Sequence, residues 1–72
     1  MIDIKMLEDK IQQSGLKKGF IAERLGVSRA TFSALLSNKT EFKVSQIRTL
    51  CELLDIHDDE TLRAIFFARN GA

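Results

Sequence analysis

Apolar residues recur along this chain at the three- and four-residue intervals of amphipathic helices. Polar segments, several of them with a glycine, interrupt the pattern and divide it into short blocks. The blocks predict five helices, over residues 3–14, 18–25, 29–37, 44–54 and 59–69. We therefore expect an all-α fold, a compact five-helix bundle that forms a single domain over residues 1–72.

Three of the predicted helices carry an apolar stripe that would face the core. The stripe of the first helix consists of Ile4, Leu7 and Ile11. The stripe of the fourth helix is the most regular and consists of Val44, Ile47, Leu50, Cys51 and Leu54. The inward face of the fifth helix would be Leu62, Ile65 and Phe66. Acidic residues 58–60 in its first turn and Arg69 near its end suit the helix dipole.

The segment from Leu16 to Lys39 has the pattern of two short helices joined by a tight turn. The first helix ends near Gly26, where the backbone must take a positive φ that glycine adopts at little cost. The second opens at Ser28, a good N-cap, and carries a buried-face pattern of Phe32, Leu35 and Leu36. Two helices that cross over a short glycine turn form a helix-turn-helix, whose second helix can enter the major groove of DNA.

Composition bounds the class of protein. Seventy-two residues lie near the lower limit for a self-sufficient core, and the absence of proline leaves the helices uninterrupted. A single cysteine, Cys51, excludes an internal disulfide. No apolar run approaches the roughly 20 residues of a membrane span, and the amino terminus is too charged for a signal peptide. We expect a soluble cytoplasmic protein that does not bind a membrane.

The net charge of +1 is distributed unevenly. Residues 1–16 carry −1 and residues 49–72 carry −3, whereas residues 17–48 hold seven basic and two acidic side chains. The positive charge therefore coincides with the predicted helix-turn-helix, as binding to phosphate requires. A polar surface that is merely solvated is the alternative explanation.

Two sets of side chains are candidates for contact with double-stranded DNA. The residues of the second helix that point away from the core are the candidates for base contacts: Arg29, Ala30, Thr31, Ser33 and Ala34. Arg29 is the best reader, because its guanidinium fits guanine O6 and N7. The candidates for phosphate contacts flank this helix: Lys17, Lys18, Ser28, Asn38, Lys39, Thr40 and Lys43.

Catalysis and metal binding have little support. His57 is the only histidine, it lies six residues from Cys51, and the chain has too little bulk for a deep pocket. Cys51 lies on an apolar stripe, which favours a buried small side chain over a nucleophile. The spacing of His57, Asp58 and Asp59 matches no dedicated metal loop. We expect no enzymatic activity, no cofactor, no metal site and no small-molecule substrate.

From Leu16 to Ile56 the chain resembles the Cro/C1-type (XRE) helix-turn-helix family of phage and bacterial regulators. The matching residues are Ile21-Ala22, Leu25-Gly26-Val27-Ser28, Thr31-Phe32, Leu35, Ile47, Leu50, Leu54 and Ile56. The short length and the closing Ile65-Phe66-Phe67 resemble small Cro-like proteins and modulator-of-repression proteins of temperate-phage lysogeny switches. The resemblance implies a lambda-repressor-like fold, residues 29–34 that face the groove, and Lys18 near a phosphate.

The chain departs from the family pattern at four positions. The family commonly has Ser or Thr followed by Gln where this chain has Lys17-Lys18, and glycine where it has Asn38. Gly19 lies inside the second predicted helix, where glycine costs roughly 1 kcal/mol relative to alanine. Since Arg29 is the one long polar side chain of the outer face, few base contacts are expected.

Phe20 precedes the inward-facing Ile21 and Phe67 follows the inward-facing Phe66, so both aromatic side chains should lie at the surface. Exposed aromatic residues are typical of protein interfaces, and packing against the own domain is the alternative. The interface interpretation gives a homodimer contact at Phe67 and a partner contact at Phe20. Two functions follow: a DNA-binding regulator of a phage-type lysogeny/lysis switch, or an interaction module that binds a partner repressor through its helix-turn-helix surface.

Overall fold

Residues 2–67 are described by a computed structural model and form five α-helices without a strand. The helices are α1 (Ile4–Ser14), α2 (Lys18–Leu25), α3 (Arg29–Leu36), α4 (Val44–Leu53) and α5 (Asp59–Phe66). The all-α prediction with a helix-turn-helix is confirmed. None of these helices has the length and hydropathy that a membrane crossing requires.

Side chains that accept hydrogen bonds from the first turn determine where three helices begin. Asp3 accepts from the Met6 N–H (3.1 Å) and Asp58 from the Thr61 N–H (2.8 Å). Ser28 caps α3 as predicted, with its Oγ 3.0 Å from the Thr31 nitrogen. Each cap satisfies an N–H group that has no partner within the helix.

The predicted ends of four helices differ from the observed ends by at least one residue. Asp3 is extended backbone and caps α1 instead of opening it. Ser37 and Leu54 are C-cap residues, so α3 and α4 stop one residue early. The fifth helix ends at Phe66 with Phe67 as its C-cap. The last two residues of the predicted fifth helix, residues 68 and 69, lie outside the described part of the chain, and so does the expected dipole partner Arg69.

The core draws buried side chains from all five helices. It consists of Leu7, Ile11, Ile21, Ala22, Phe32, Leu35, Leu36, Leu50, Leu54, Ile56, Ile65 and Phe66. The predicted stripes of α1 and α5 supply four of these residues, while Ile4 and Leu62 are only half-buried. Phe42, from the loop before α4, meets the ring of Phe66 edge-on with centroids 6.2 Å apart.

The predicted stripe of α4 was wrong at Val44, whose side chain is 74% exposed. Val44 is the first residue of α4 and lies at the rim of a groove between α4 and α5, where solvent covers it. Ile47 and Cys51 are half-buried along the same groove, and Leu50 and Leu54 reach the core. Periodicity gives the face of a helix but not where along its length the packing begins.

Contacts between the helices hold the second and third helices in a fixed relation. α2 packs against both α3 and α4, and α1 packs against α5. The segment before α1 joins α5 through a hydrogen bond from the Asp3 N–H to the Ile65 carbonyl (2.7 Å). α3 is thus held in the bundle through α2, which itself packs against α4.

Candidate nucleic-acid interface

The turn between α2 and α3 has the geometry that its sequence predicts. Gly26 takes φ 75°, and its N–H donates to the Glu23 carbonyl at 3.0 Å. The Val27 N–H donates to the Ala22 carbonyl at 3.0 Å, which satisfies a second carbonyl at the end of α2. The backbone then reverses within two residues and reaches Ser28, the cap of α3.

The sides of α3 differ sharply in exposure. Phe32, Leu35 and Leu36 are buried beneath the helix. Of the five residues predicted to contact bases, Arg29, Ala30, Thr31 and Ser33 are exposed and Ala34 is half-buried. The predicted outer face therefore consists of small side chains and one arginine, which lets another surface approach the helix closely.

Ser28 and Thr31 are partners of one another at the start of this face. The Ser28 hydroxyl donates to Thr31 Oγ1 at 3.0 Å and accepts from the Thr31 N–H. Both side chains are exposed. Their hydroxyl groups retain acceptor and donor capacity toward a further ligand, while their positions are held by the cap.

Arg29 lies across the first turn of α2 and is still exposed to solvent. A Cβ atom built at Gly19 would lie 2.7 Å from Arg29 Nη2 and 2.9 Å from its Nε. The guanidinium thus lies directly on the backbone of the first turn of α2, a position that any side chain at residue 19 would obstruct. Glycine at position 19 therefore leaves the space that the guanidinium occupies, although glycine costs helix stability.

Arg29 shares an open groove with both lysines at the start of α2. The groove has a volume of about 350 Å³ and is lined by Glu8, Lys17, Lys18, Gly19, Arg29, Phe32, Ser33, Leu36 and Ser37. Its cations lie beside the amino end of α2, whose N-cap residue Lys17 provides no side-chain hydrogen bond. Cationic side chains and free N–H groups together favour an anionic ligand.

One acidic side chain enters this basic groove. Glu8 of α1 holds Lys18 through both carboxylate oxygens, with Lys18 Nζ at 2.9 Å from Oε1 and 3.1 Å from Oε2. Both side chains remain partly exposed, Lys18 by 53% and Glu8 by 38%. In the absence of another anion, Lys18 is therefore neutralised from within the protein.

The loop after α3 presents the other predicted phosphate contacts. Asn38, Lys39, Thr40 and Lys43 are all exposed. Asn38 takes the left-handed conformation (φ 59°), which asparagine tolerates, and its amide donates to the Ile2 carbonyl at 3.4 Å. Gln46 accepts from the Lys43 N–H at 2.8 Å, which fixes the entry into α4.

The groove between α4 and α5 lies apart from these residues and is mainly apolar. It has a volume of about 390 Å³, and Val44, Cys51, His57 and Phe67 are among its lining residues. Burial raises the pKa of the Cys51 thiol, which leaves less of the reactive thiolate. His57 Nε2 lies 2.6 Å from an Asp55 carboxylate oxygen. Within residues 2–67, His57 is thus paired with Asp55, and no hydrogen bond joins it to Cys51.

Phe20 and Phe67 lie at the surface, as predicted. Phe20 is 43% exposed on α2 and Phe67 is 59% exposed at the end of α5. Phe67 continues the apolar lining of the α4–α5 groove. The two aromatic rings thus belong to separate surfaces, one on the helix-turn-helix and one behind it.

Sequence reasoning missed two residues of the basic groove, Glu8 and Gly19. Glu8 comes directly after Leu7 of the apolar stripe of α1, so periodicity predicts that Glu8 is at least partly exposed. Periodicity does not predict its ion pair with Lys18, ten residues later. The sequence shows that Gly19 is unfavourable in a helix, but it does not show that the Arg29 guanidinium lies over it. Both contacts depend on the angles between helices, which periodicity does not reveal.

A sequence profile of the family described as a helix-turn-helix domain matches residues 12–64, well over half of the chain. The match begins within α1 and ends within α5, so it includes α2, α3 and the connecting turn. Searches among curated proteins and among solved structures gave no match.

Proposed function

Because the chain belongs to the helix-turn-helix domain family, we propose that it is a regulator that inserts α3 into the major groove of DNA. Members of this family are DNA-binding regulators and are typically non-enzymatic. The finer assignment rests on the resemblance to Cro/C1-type proteins. On that basis the chain acts as a transcriptional regulator in a phage-type lysogeny/lysis switch, in the bacterial cytoplasm.

The exposed outer face of α3 is the observation that carries this proposal. Phe32, Leu35 and Leu36 anchor the helix, while Arg29, Thr31 and Ser33 are free to meet an external ligand. An arginine in the first turn of a recognition helix can form a bidentate contact with guanine. To reach a base edge, the Arg29 guanidinium leaves its place over Gly19.

The basic side chains around α3 support binding to the DNA backbone. Lys17 and Lys18 flank it at the start of α2, and Lys39 and Lys43 follow it in the loop. Such contacts position the protein on the duplex without reading sequence. Each phosphate neutralised releases counterions, so affinity should fall steeply as salt rises.

Selection of duplexes from a random-sequence library by the full chain tests the proposal, followed by fluorescence anisotropy on the enriched sequence. We expect one enriched motif, whose binding weakens between low and physiological salt. Arg29→Ala should weaken binding by about 1–3 kcal/mol and relax the preference at one base pair. Arg63→Ala is the control, since it removes the same charge from an exposed position on α5. Equal losses in both variants, or no enrichment, would refute readout by α3.

We also propose that two copies associate through the α4–α5 groove. The groove presents the exposed side chains of Val44 and Phe67, and its rim carries both Arg48 and the acidic residues Glu52 and Asp58. A two-fold axis brings a patch opposite its own copy, so a rim that holds both charges can pair with itself. Two recognition helices would then reach half-sites about 34–36 Å apart.

Sedimentation equilibrium of Val44→Glu tests this dimer. A carboxylate in the first turn of α4 suits the helix dipole, so the variant should fold and yet place an unpaired charge in the interface. Ser45→Glu adds the same charge at the adjacent exposed position and is the control. Weaker association of Val44→Glu alone supports the proposal, and equal behaviour of wild type and both variants contradicts it.

Phe20 favours a second candidate function, binding of a partner repressor through the helix-turn-helix surface. Its ring is 43% exposed on α2, where Phe20 follows Gly19 of the basic groove in sequence, and the whole chain is nearly neutral. An aromatic anchor beside cations suits an acidic protein surface. Phe20→Ala should then abolish the complex with a partner repressor, whereas Arg29→Ala should weaken DNA binding by about 1–3 kcal/mol. Unchanged repressor binding by Phe20→Ala would exclude this function.

A further inference from the structure

The contact between Glu8 and Lys18 places an anion where a DNA phosphate would bind. Glu8 is on α1, outside the helix-turn-helix, and its two carboxylate oxygens lie 2.9 and 3.1 Å from Lys18 Nζ. Lys17 and Arg29 line the same groove, so within residues 2–67 the Glu8 carboxylate is the one anion in a groove with three cationic side chains. A carboxylate with two oxygens on one cation occupies it much as a phosphate does.

We propose that Glu8 is an internal competitor of the DNA backbone and thereby sets the strength of DNA binding. The inference rests on the proposed function, since it requires that a phosphate approaches Lys18. A phosphate and the Glu8 carboxylate repel one another within this groove, so DNA binds only after Glu8 releases Lys18 and turns into solvent. Affinity is therefore lower than the cations alone would give.

A purely structural role for this ion pair has little support. Both side chains are partly exposed, and exposed ion pairs add little to the stability of a fold. α1 is anchored instead by Leu7 and Ile11, which are buried in the core. Removal of the Glu8 charge should therefore leave the fold intact and alter the groove alone.

Glu8→Gln is the direct test, because it keeps the size of the side chain and removes its charge. Asp9→Asn is the matched control, since it removes the same charge from the next residue of α1, which is exposed and has no ion pair within residues 2–67. Fluorescence anisotropy on the selected duplex should show that Glu8→Gln binds about fivefold more tightly at low salt. Asp9→Asn should gain less than about twofold, by the weak, screened effect of net charge alone.

Two further readouts separate this effect from altered folding. Thermal unfolding followed by circular dichroism should give wild type and both variants closely similar midpoints. The advantage of Glu8→Gln should also shrink as salt rises, because screening weakens the repulsion that it removes.

Equal affinities of Glu8→Gln and Asp9→Asn would overturn the inference and leave the proposed function intact. Failure of the wild-type protein to bind any duplex would overturn both. A tightening of Glu8→Gln that is independent of salt would also contradict the inference, since electrostatic competition cannot produce it.

Discussion

Gly19→Ala is expected to stabilise the protein even though its methyl group collides with Arg29. Gly19 is helical and does not need a positive φ, so alanine restores about 0.5–1 kcal/mol of helix stability. The collision, at 2.7 Å, involves the end of a flexible and exposed arginine, which can move aside at little cost. The midpoint of thermal unfolding should rise by roughly 2–8 °C for a domain of this size.

Circular dichroism with urea and thermal unfolding measures this gain. The same substitution in an Arg29→Ala background is the control, because the collision is then absent. If the two gains agree within about 0.5 kcal/mol, the Arg29–Gly19 contact contributes little to the fold and is available to a ligand. A variant less stable than wild type, or a gain confined to the Arg29→Ala background, would refute the reasoning.

Two other predictions concern the helix caps. Ser28→Ala should destabilise the protein by about 1 kcal/mol, because α3 loses its N-cap hydrogen bond. Ser28→Asp should keep the stability, because aspartate also caps helices, and should weaken DNA binding because its carboxylate repels the phosphates. Urea unfolding measures the stability and fluorescence anisotropy measures the DNA binding. At the start of α5, hydrogen bonds from the Thr61 side chain and backbone lower the pKa of Asp58. The ionised Asp58 carboxylate therefore stabilises the fold above the ordinary aspartate pKa of about 3.9, and this stabilisation is lost as the pH falls below it. Asp58→Asn keeps a capping side chain that does not titrate, so the stability of wild type should fall relative to this variant in acid; parallel curves from pH 6 to pH 2 would contradict the assignment.

Much of the fold could be predicted because its signals are local. Caps such as Ser28 and the glycine turn at Gly26 act within a few residues, and a period of 3.6 gives the buried side of each helix. The buried positions of α3 and the exposed positions of Phe20 and Phe67 follow from this periodicity. The prediction that Val44 faces the core was wrong because periodicity does not show where along a helix the packing begins.

The candidate site was less predictable because its side chains come from different helices. The outer face of α3 followed from one helix alone. By contrast, Arg29 over Gly19 and Glu8 on Lys18 depend on how α1, α2 and α3 cross. The sequence therefore indicated which residues are available to DNA, but not that two of the cations already have contacts within the protein.

Amide spectra of ¹⁵N-labelled protein, recorded as the selected duplex is added, test most directly whether the outer face of α3 binds DNA. The account predicts that the largest chemical-shift changes fall on residues 28–34, followed by residues 17–19 and 38–43. Residues 9 and 63, which are exposed away from this surface, should change little. Changes concentrated along the α4–α5 groove, with α3 unaffected, would contradict the account.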